Sequence, residues 1–98
     1  MSEAKATRRV TVANSTGLHI RPIMLVVKLA SKYRSRIDVV KDAQRANAKS
    51  VLEMLSLGGQ PGEEFLLEAE GEDAEAAVEA LARLFAAGFH EDEAKTAP

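Results

Sequence analysis

Apolar positions along this chain switch repeatedly between a two-residue and a helical period. From Arg8 to Ala13, Val10 and Val12 fall on one side and Arg9 and Thr11 on the other. That is the alternation of a half-buried strand. Asn14-Ser15-Thr16-Gly17 is turn chemistry. Ile23, Val26, Val27, Ala30 and Tyr33 then share one face at helical spacing, which predicts a helix from about Ile20 to Tyr33. Lys32 and Arg34 at its end suit the negative pole of the helix dipole. Arg36 to Lys41 alternates again, with Ile37 and Val39 opposite Asp38 and Val40. A turn at Asp42-Ala43 leads into a short third strand, Gln44 to Asn47.

Ser50-Val51-Leu52-Glu53 has the form of a capping box, a serine followed three residues later by glutamate. It predicts a short helix stopped near Leu57 by Gly58-Gly59. Glu64 to Glu70 reads as a fourth strand, with Phe65, Leu67 and Ala69 on its inner side. Asp73 is expected to cap a last helix carrying Val78, Leu81, Ala82 and Phe85, ended by Gly88. The order is βαββαβα. Strands with one polar face predict a mostly antiparallel sheet with helices on one side, an α+β fold. Residues 1–6 are expected to be a loose N-terminus, 7–88 the single domain, and 89–98 an acidic, disordered tail.

Composition narrows the class. The chain has no cysteine, which excludes disulfides and thiolate metal sites and fits a reducing, cytoplasmic setting. No apolar leader opens it, and its longest apolar run, Ile23 to Val27, is too short for a membrane span. Net charge is −2, but residues 1–50 hold 11 Lys and Arg against 3 Asp and Glu, and residues 51–98 hold 2 against 12. Either the basic half steers anionic partners toward a site within it, or folding mixes the two halves.

That basic half contains Gly17-Leu18-His19-Ile20-Arg21-Pro22. A helix start presents unpaired amides and a positive dipole end, a ready seat for phosphate. An imidazole there can attack a phosphoryl donor and hold the group covalently. Arg21 offers a planar, permanently charged fork to phosphate oxygens. Gly17 lets backbone approach without a Cβ in the way. Pro22 fits the first helical turn in two registers. One puts Pro22 at the first helical position with Arg21 as cap; the other puts His19 at the cap and Pro22 third. The site needs the second. His90, beside Glu91 and Asp92, is assigned no role. No other histidine sits at metal-ligand spacing and no Gly-rich nucleotide loop is present, so neither metal nor cofactor is expected.

The block from Gly17 to Pro22 resembles the active-site signature of HPr, the histidine-containing phosphocarrier family of the bacterial phosphoenolpyruvate:sugar phosphotransferase system (PTS). Two further blocks agree in register. Asn47 to Leu57 resembles the family's regulatory serine region, and Glu70 to Ala76 its junction into the last helix. The resemblance covers about residues 7 to 88. It implies the HPr-like open-faced β-sandwich, a four-stranded antiparallel sheet with three helices on one face. It implies a phosphocarrier without turnover chemistry of its own. His19 would accept the group on Nδ1 from phosphorylated enzyme I and pass it to a histidine on a IIA domain of a sugar permease. Arg21 would neutralise the group in transit, with Thr16, Gly17 and Ile20 as flanking phosphate support. Ser50 would be the target of an HPr kinase/phosphorylase, and transcription regulators are further partners. The resemblance implies a monomer.

Three residues depart from the family pattern. Ile20 stands where most relatives have alanine, Ile23 where they usually have alanine again, and Glu53 where many have glycine. Ile20 removes no group the chemistry needs. Val51, Leu52 and Leu55 form either an apolar partner-docking patch or part of the core. Ser50 is either a plain N-cap or a phosphorylation switch. The alternative function is a regulatory binding module, controlled by Ser50 phosphorylation without sugar transport. Nucleic acid is not an expected partner: Arg8, Arg9, Lys32, Arg34 and Arg36 are basic, but only Tyr33 lies among them for base stacking.

Overall fold

The computed structural model describes residues 4–90. The elements are β1 (Lys5–Thr11), α1 (Ile20–Ala30), β2 (Arg36–Lys41), β3 (Gln44–Asn47), α2 (Val51–Leu57), β4 (Glu64–Glu70) and α3 (Ala74–Ala86). A 3-10 turn, Gly88–His90, closes the described chain. The strands form one sheet in the order β1-β4-β2-β3, every neighbouring pair antiparallel. This is the α+β, open-faced architecture expected from the alternation.

The sheet's inner face carries Ala6, Val10, Ile37, Val39, Ala46, Phe65, Leu67 and Ala69, all buried. Against them pack Ile23, Val26 and Ala30 of α1, Met54 and Leu57 of α2, and Val78, Leu81 and Phe85 of α3. Burying these side chains supplies the main favourable term. The other face is polar. There Arg45 bridges Asp38 at 2.7 Å and Glu68 at 3.0 Å, and Arg36 meets Glu70 at 3.4 Å. Both carboxylates on Arg45 favour its charged form and raise its pKa.

Several boundaries differ from the sequence reading. β1 starts at Lys5, inside the stretch expected to be loose, and ends at Thr11 before Ala13. Its extent is set by β4, with which it pairs from Lys5↔Glu70 to Thr11↔Glu64. α1 stops at Ala30 instead of Tyr33. Beyond it, Lys32 N–H donates to the Leu29 carbonyl and Tyr33 N–H to that of Ala30, both at 3.1 Å, three residues back. The tighter turn leaves Tyr33 half-buried against the core.

Asp73 precedes α3 but its side chain does not cap it. Its carboxylate accepts from the N–H groups of Arg34 and Ser35, each at 2.9 Å, and from the Ser35 hydroxyl. The Ser35 hydroxyl and these amides hold the Asp73 carboxyl down at about 2. Asp73 therefore ties the end of β4 to the start of β2. Gly71 permits this approach, since a Cβ there would lie 2.5 Å from Ser35 Oγ.

The tail boundary also moves. Phe89, expected in a disordered segment, is buried and meets the Phe85 ring edge-on at 4.9 Å between centroids. Gly88, at φ 62°, reverses the chain after α3 and makes that burial possible. Residues 91–98 of the expected tail, and 1–3 at the other end, lie outside the described residues.

Candidate functional site

Residues 12–19 link β1 to α1 and carry the candidate chemistry. The loop is held against the segment that follows α2. Val12 N–H donates to the Glu63 carbonyl at 2.9 Å, and Gly62 N–H to that of Val12 at 2.8 Å. Leu18 N–H donates to the Gly59 carbonyl at 2.9 Å. Gly17 adopts φ +76°, and a Cβ on it would fall 2.5 Å from the same Gly59 oxygen. The glycine is thus required by packing against the neighbouring loop as well as by its own left-handed backbone.

His19 is the N-cap of α1, with φ −96° and ψ −169°. Its carbonyl accepts from Ile23 N–H at 3.1 Å, and its N–H donates to the Gly17 carbonyl at 3.1 Å. Its side chain does not cap the helix. This is the second of the two registers: Ile20, Arg21 and Pro22 are the first three helical residues. Pro22 has no N–H to satisfy, so the amides exposed by the first turn are those of Ile20 and Arg21. Arg21 is exposed, and among the described residues it makes no ion pair. α1 contains no acidic residue, so nothing on that helix offsets the positive end of its dipole. His19 is half-buried and Thr16 exposed; the Thr16 hydroxyl accepts from Asn14 Nδ2 at 3.2 Å.

Ser50 caps α2, its hydroxyl accepting from Glu53 N–H at 3.2 Å. Only half of the expected capping box forms. The Glu53 carboxylate accepts from Asn47 N–H at 2.8 Å, while Ser50 N–H donates to the Asn47 carbonyl at 3.0 Å. Of the three candidate docking residues, Leu52 and Leu55 are 80% and 44% exposed, and Val51 is half-buried against the core. Ile20 and Met24, both 51% exposed, complete the set of exposed large apolar side chains among the described residues. All four lie on α1 and α2, which pack on each other.

Met24 belongs to none of the sequence motifs. Its signal was present: it falls one turn after Ile20, off the face formed by Ile23, Val26 and Ala30. The sequence places Asn14 in a turn, yet it is fully buried. Among the described residues, no three His, Asp or Glu side chains group as a metal ion would require, and no helix is long and apolar enough to cross a membrane.

Residues 6–87 match the protein family described as the PTS HPr component phosphorylation site. The phosphocarrier protein HPr of Streptomyces coelicolor is 44% identical over 87 residues, covering 88% of this chain and 94% of that protein. The phosphocarrier protein NPr of Shewanella violacea is 38% identical over 87 residues, covering 89% and 96%. The crystal structure of HPr from Thermoanaerobacter tengcongensis superposes with a TM-score of 0.84 at 43% identity, covering 88% of this chain and 97% of that one. Fold, spacing and sequence agree over the same residues: this chain belongs to the HPr family of phosphocarriers of the phosphotransferase system.

Proposed function

We propose that the chain carries phosphoryl groups between proteins of the phosphotransferase system on His19. One observation supports this above others. His19 sits at the N-cap of α1, beside the amides of Ile20 and Arg21. The Nδ1 lone pair of the neutral ring attacks the phosphorus of a phosphohistidine on enzyme I. The bond from phosphorus to the donor nitrogen breaks, and the donor ring keeps the electron pair. The proton on the other nitrogen of His19 stays in place. Transfer onward to a histidine of a IIA domain runs through the same bond changes in the opposite sense.

The phosphoryl oxygens meet the helix-start amides, which the backbone fixes before the group arrives, and the exposed Arg21 guanidinium can swing onto them. Gly17 and Thr16 hold the loop behind them. Ile20, Met24, Leu52 and Leu55 form the docking surface, with Val51 packed beneath it. Ile20 therefore serves as partner contact as well as amide donor. Ser50 is the regulatory residue. Phosphorylation by an HPr kinase/phosphorylase would add charge beside Leu52 and repel acidic partners.

Incubation with phosphoenolpyruvate and enzyme I should place acid-labile phosphate on the chain, and His19→Ala should abolish it. With ATP and an HPr kinase/phosphorylase added, acid-stable phosphate on Ser50 with no histidine label would instead support a purely regulatory module. No label of either kind on a folded chain would reject the phosphocarrier reading.

A further inference from the structure

Asn14 is an amide fully buried in the loop that carries the site. Burying an amide is costly unless it is hydrogen-bonded. Its Nδ2 donates to the Gly17 carbonyl at 2.8 Å and to Thr16 Oγ1 at 3.2 Å. The Gly17 carbonyl also accepts from His19 N–H at 3.1 Å. One oxygen thus joins a buried side chain to the backbone of the phosphorylation residue.

Asn14 is itself held from the far end of the chain. A Cβ built on Gly88 would stand 3.8 Å from Asn14 Cβ and 3.9 Å from its Cα and N, so the Gly88 backbone lies close against it. Gly88, Phe89 and His90 adopt φ of 62°, 57° and 62° in succession. A bulky aromatic residue in the left-handed region is strained and persists only when its surroundings impose it. Here the burial of Phe89 against Phe85 imposes it.

We propose that Asn14 is a positioning residue for phosphoryl transfer at His19. It fixes the Gly17 carbonyl, and through it the His19 backbone, while the left-handed turn at Gly88–Phe89 keeps Asn14 in place. The inference rests on His19 being the acceptor. His19 precedes the first helical residue and has extended backbone angles, so the helix does not set its orientation alone. Leu18, bonded to Gly59, and Gly17, clamped by Asn14, supply the rest. In-line transfer is sensitive to misplacement of the attacking atom. Asn14 is fully buried and out of reach of a docking protein, so its effect belongs to the transfer step and not to docking.

Asn14→Asp keeps the shape, removes the Nδ2 donor and sets an acceptor against the Gly17 oxygen. With phosphoenolpyruvate and enzyme I, the full chain should show kcat for phosphoryl acceptance lowered about tenfold, at unchanged KM. Phosphoramidate, a small donor without a docking surface, should show the same loss. A raised KM at unchanged kcat, or a loss confined to the protein donor, would overturn the proposal. If Asn14→Asp does not fold by circular dichroism, hydrogen exchange of the Asn14 side-chain amide in the unsubstituted chain decides. Exchange much slower than that of exposed Asn47 is expected, and equal rates overturn the proposal. Absence of phosphate on the unsubstituted chain would refute His19 as acceptor, a result distinct from either outcome for Asn14.

Discussion

The two ends of charge management in this molecule are α1 and the open face of the sheet. On the sheet, cations are matched locally: Arg45 with Asp38 and Glu68, Arg36 with Glu70, Arg9 with Glu64 at 4.0 Å. On α1, Arg21 has no carboxylate partner among the described residues and the helix carries no acid. The uneven charge of the sequence therefore survives folding in one place and is cancelled in another. β4 brings the acidic half of the chain onto the basic strands β1 and β2, and leaves α1 alone. Paired surface charges contribute little to stability and recruit nothing. An unpaired cation beside a helix start is available to an incoming anion.

That contrast breaks most visibly at Arg21. Arg21→Gln should lower phosphoryl acceptance by about 100-fold while leaving the unfolding midpoint in place, because a charged donor to developing charge is lost. Arg45→Gln, removing a cation of equal charge from the sheet, is the control, and initial rates should stay within about twofold of the parent. Similar losses for both would show that net charge, not placement, matters.

A smaller effect is expected from the apolar part of the same surface. Leu52→Ser combined with Leu55→Ser should raise KM for the phosphoryl donor about tenfold at nearly constant kcat. Both side chains are exposed in the free chain, and a partner docking there would desolvate them. Stability should change little, since neither residue is in the core.

The smallest effect concerns Asp73, which sharpens the sheet side. Its carboxyl is held at about 2 against an ordinary 3.8, so as pH falls the unfolded chain takes up the proton first. The stability it confers is whole above about pH 4 and is lost as pH falls toward about 2. Asp73→Asn should therefore unfold at a lower temperature than the parent at pH 7, and the gap should close near pH 2. Paired thermal melts across that range measure it.

Much of this was legible where local signals coincided. β2, β3 and β4 have both alternation and turn residues at each end, and their bounds follow from the sequence. The alternation places β1 too late in the chain because Lys5-Ala6-Thr7 buries only one small side chain, and its true start is dictated by β4. Asp73 looked like a cap because Asp precedes a helix, but its partners are 38 and 39 residues away. His19 and Arg21 were visible through residue type and place. Asn14 was not, since its burial depends on Gly88 at the opposite end of the chain. Sequence reports what a residue can do locally, and long-range packing decides which option it takes.

The close approach of Gly17 to Gly59 has a practical corollary. A loop whose backbone rests directly on another loop's carbonyl is not a portable cassette. Moving residues 12–19 onto a foreign scaffold would strand them without their counterpart. Any synthetic carrier borrowing this loop would have to import residues 58–62 as well, with Gly17 and Gly59 intact.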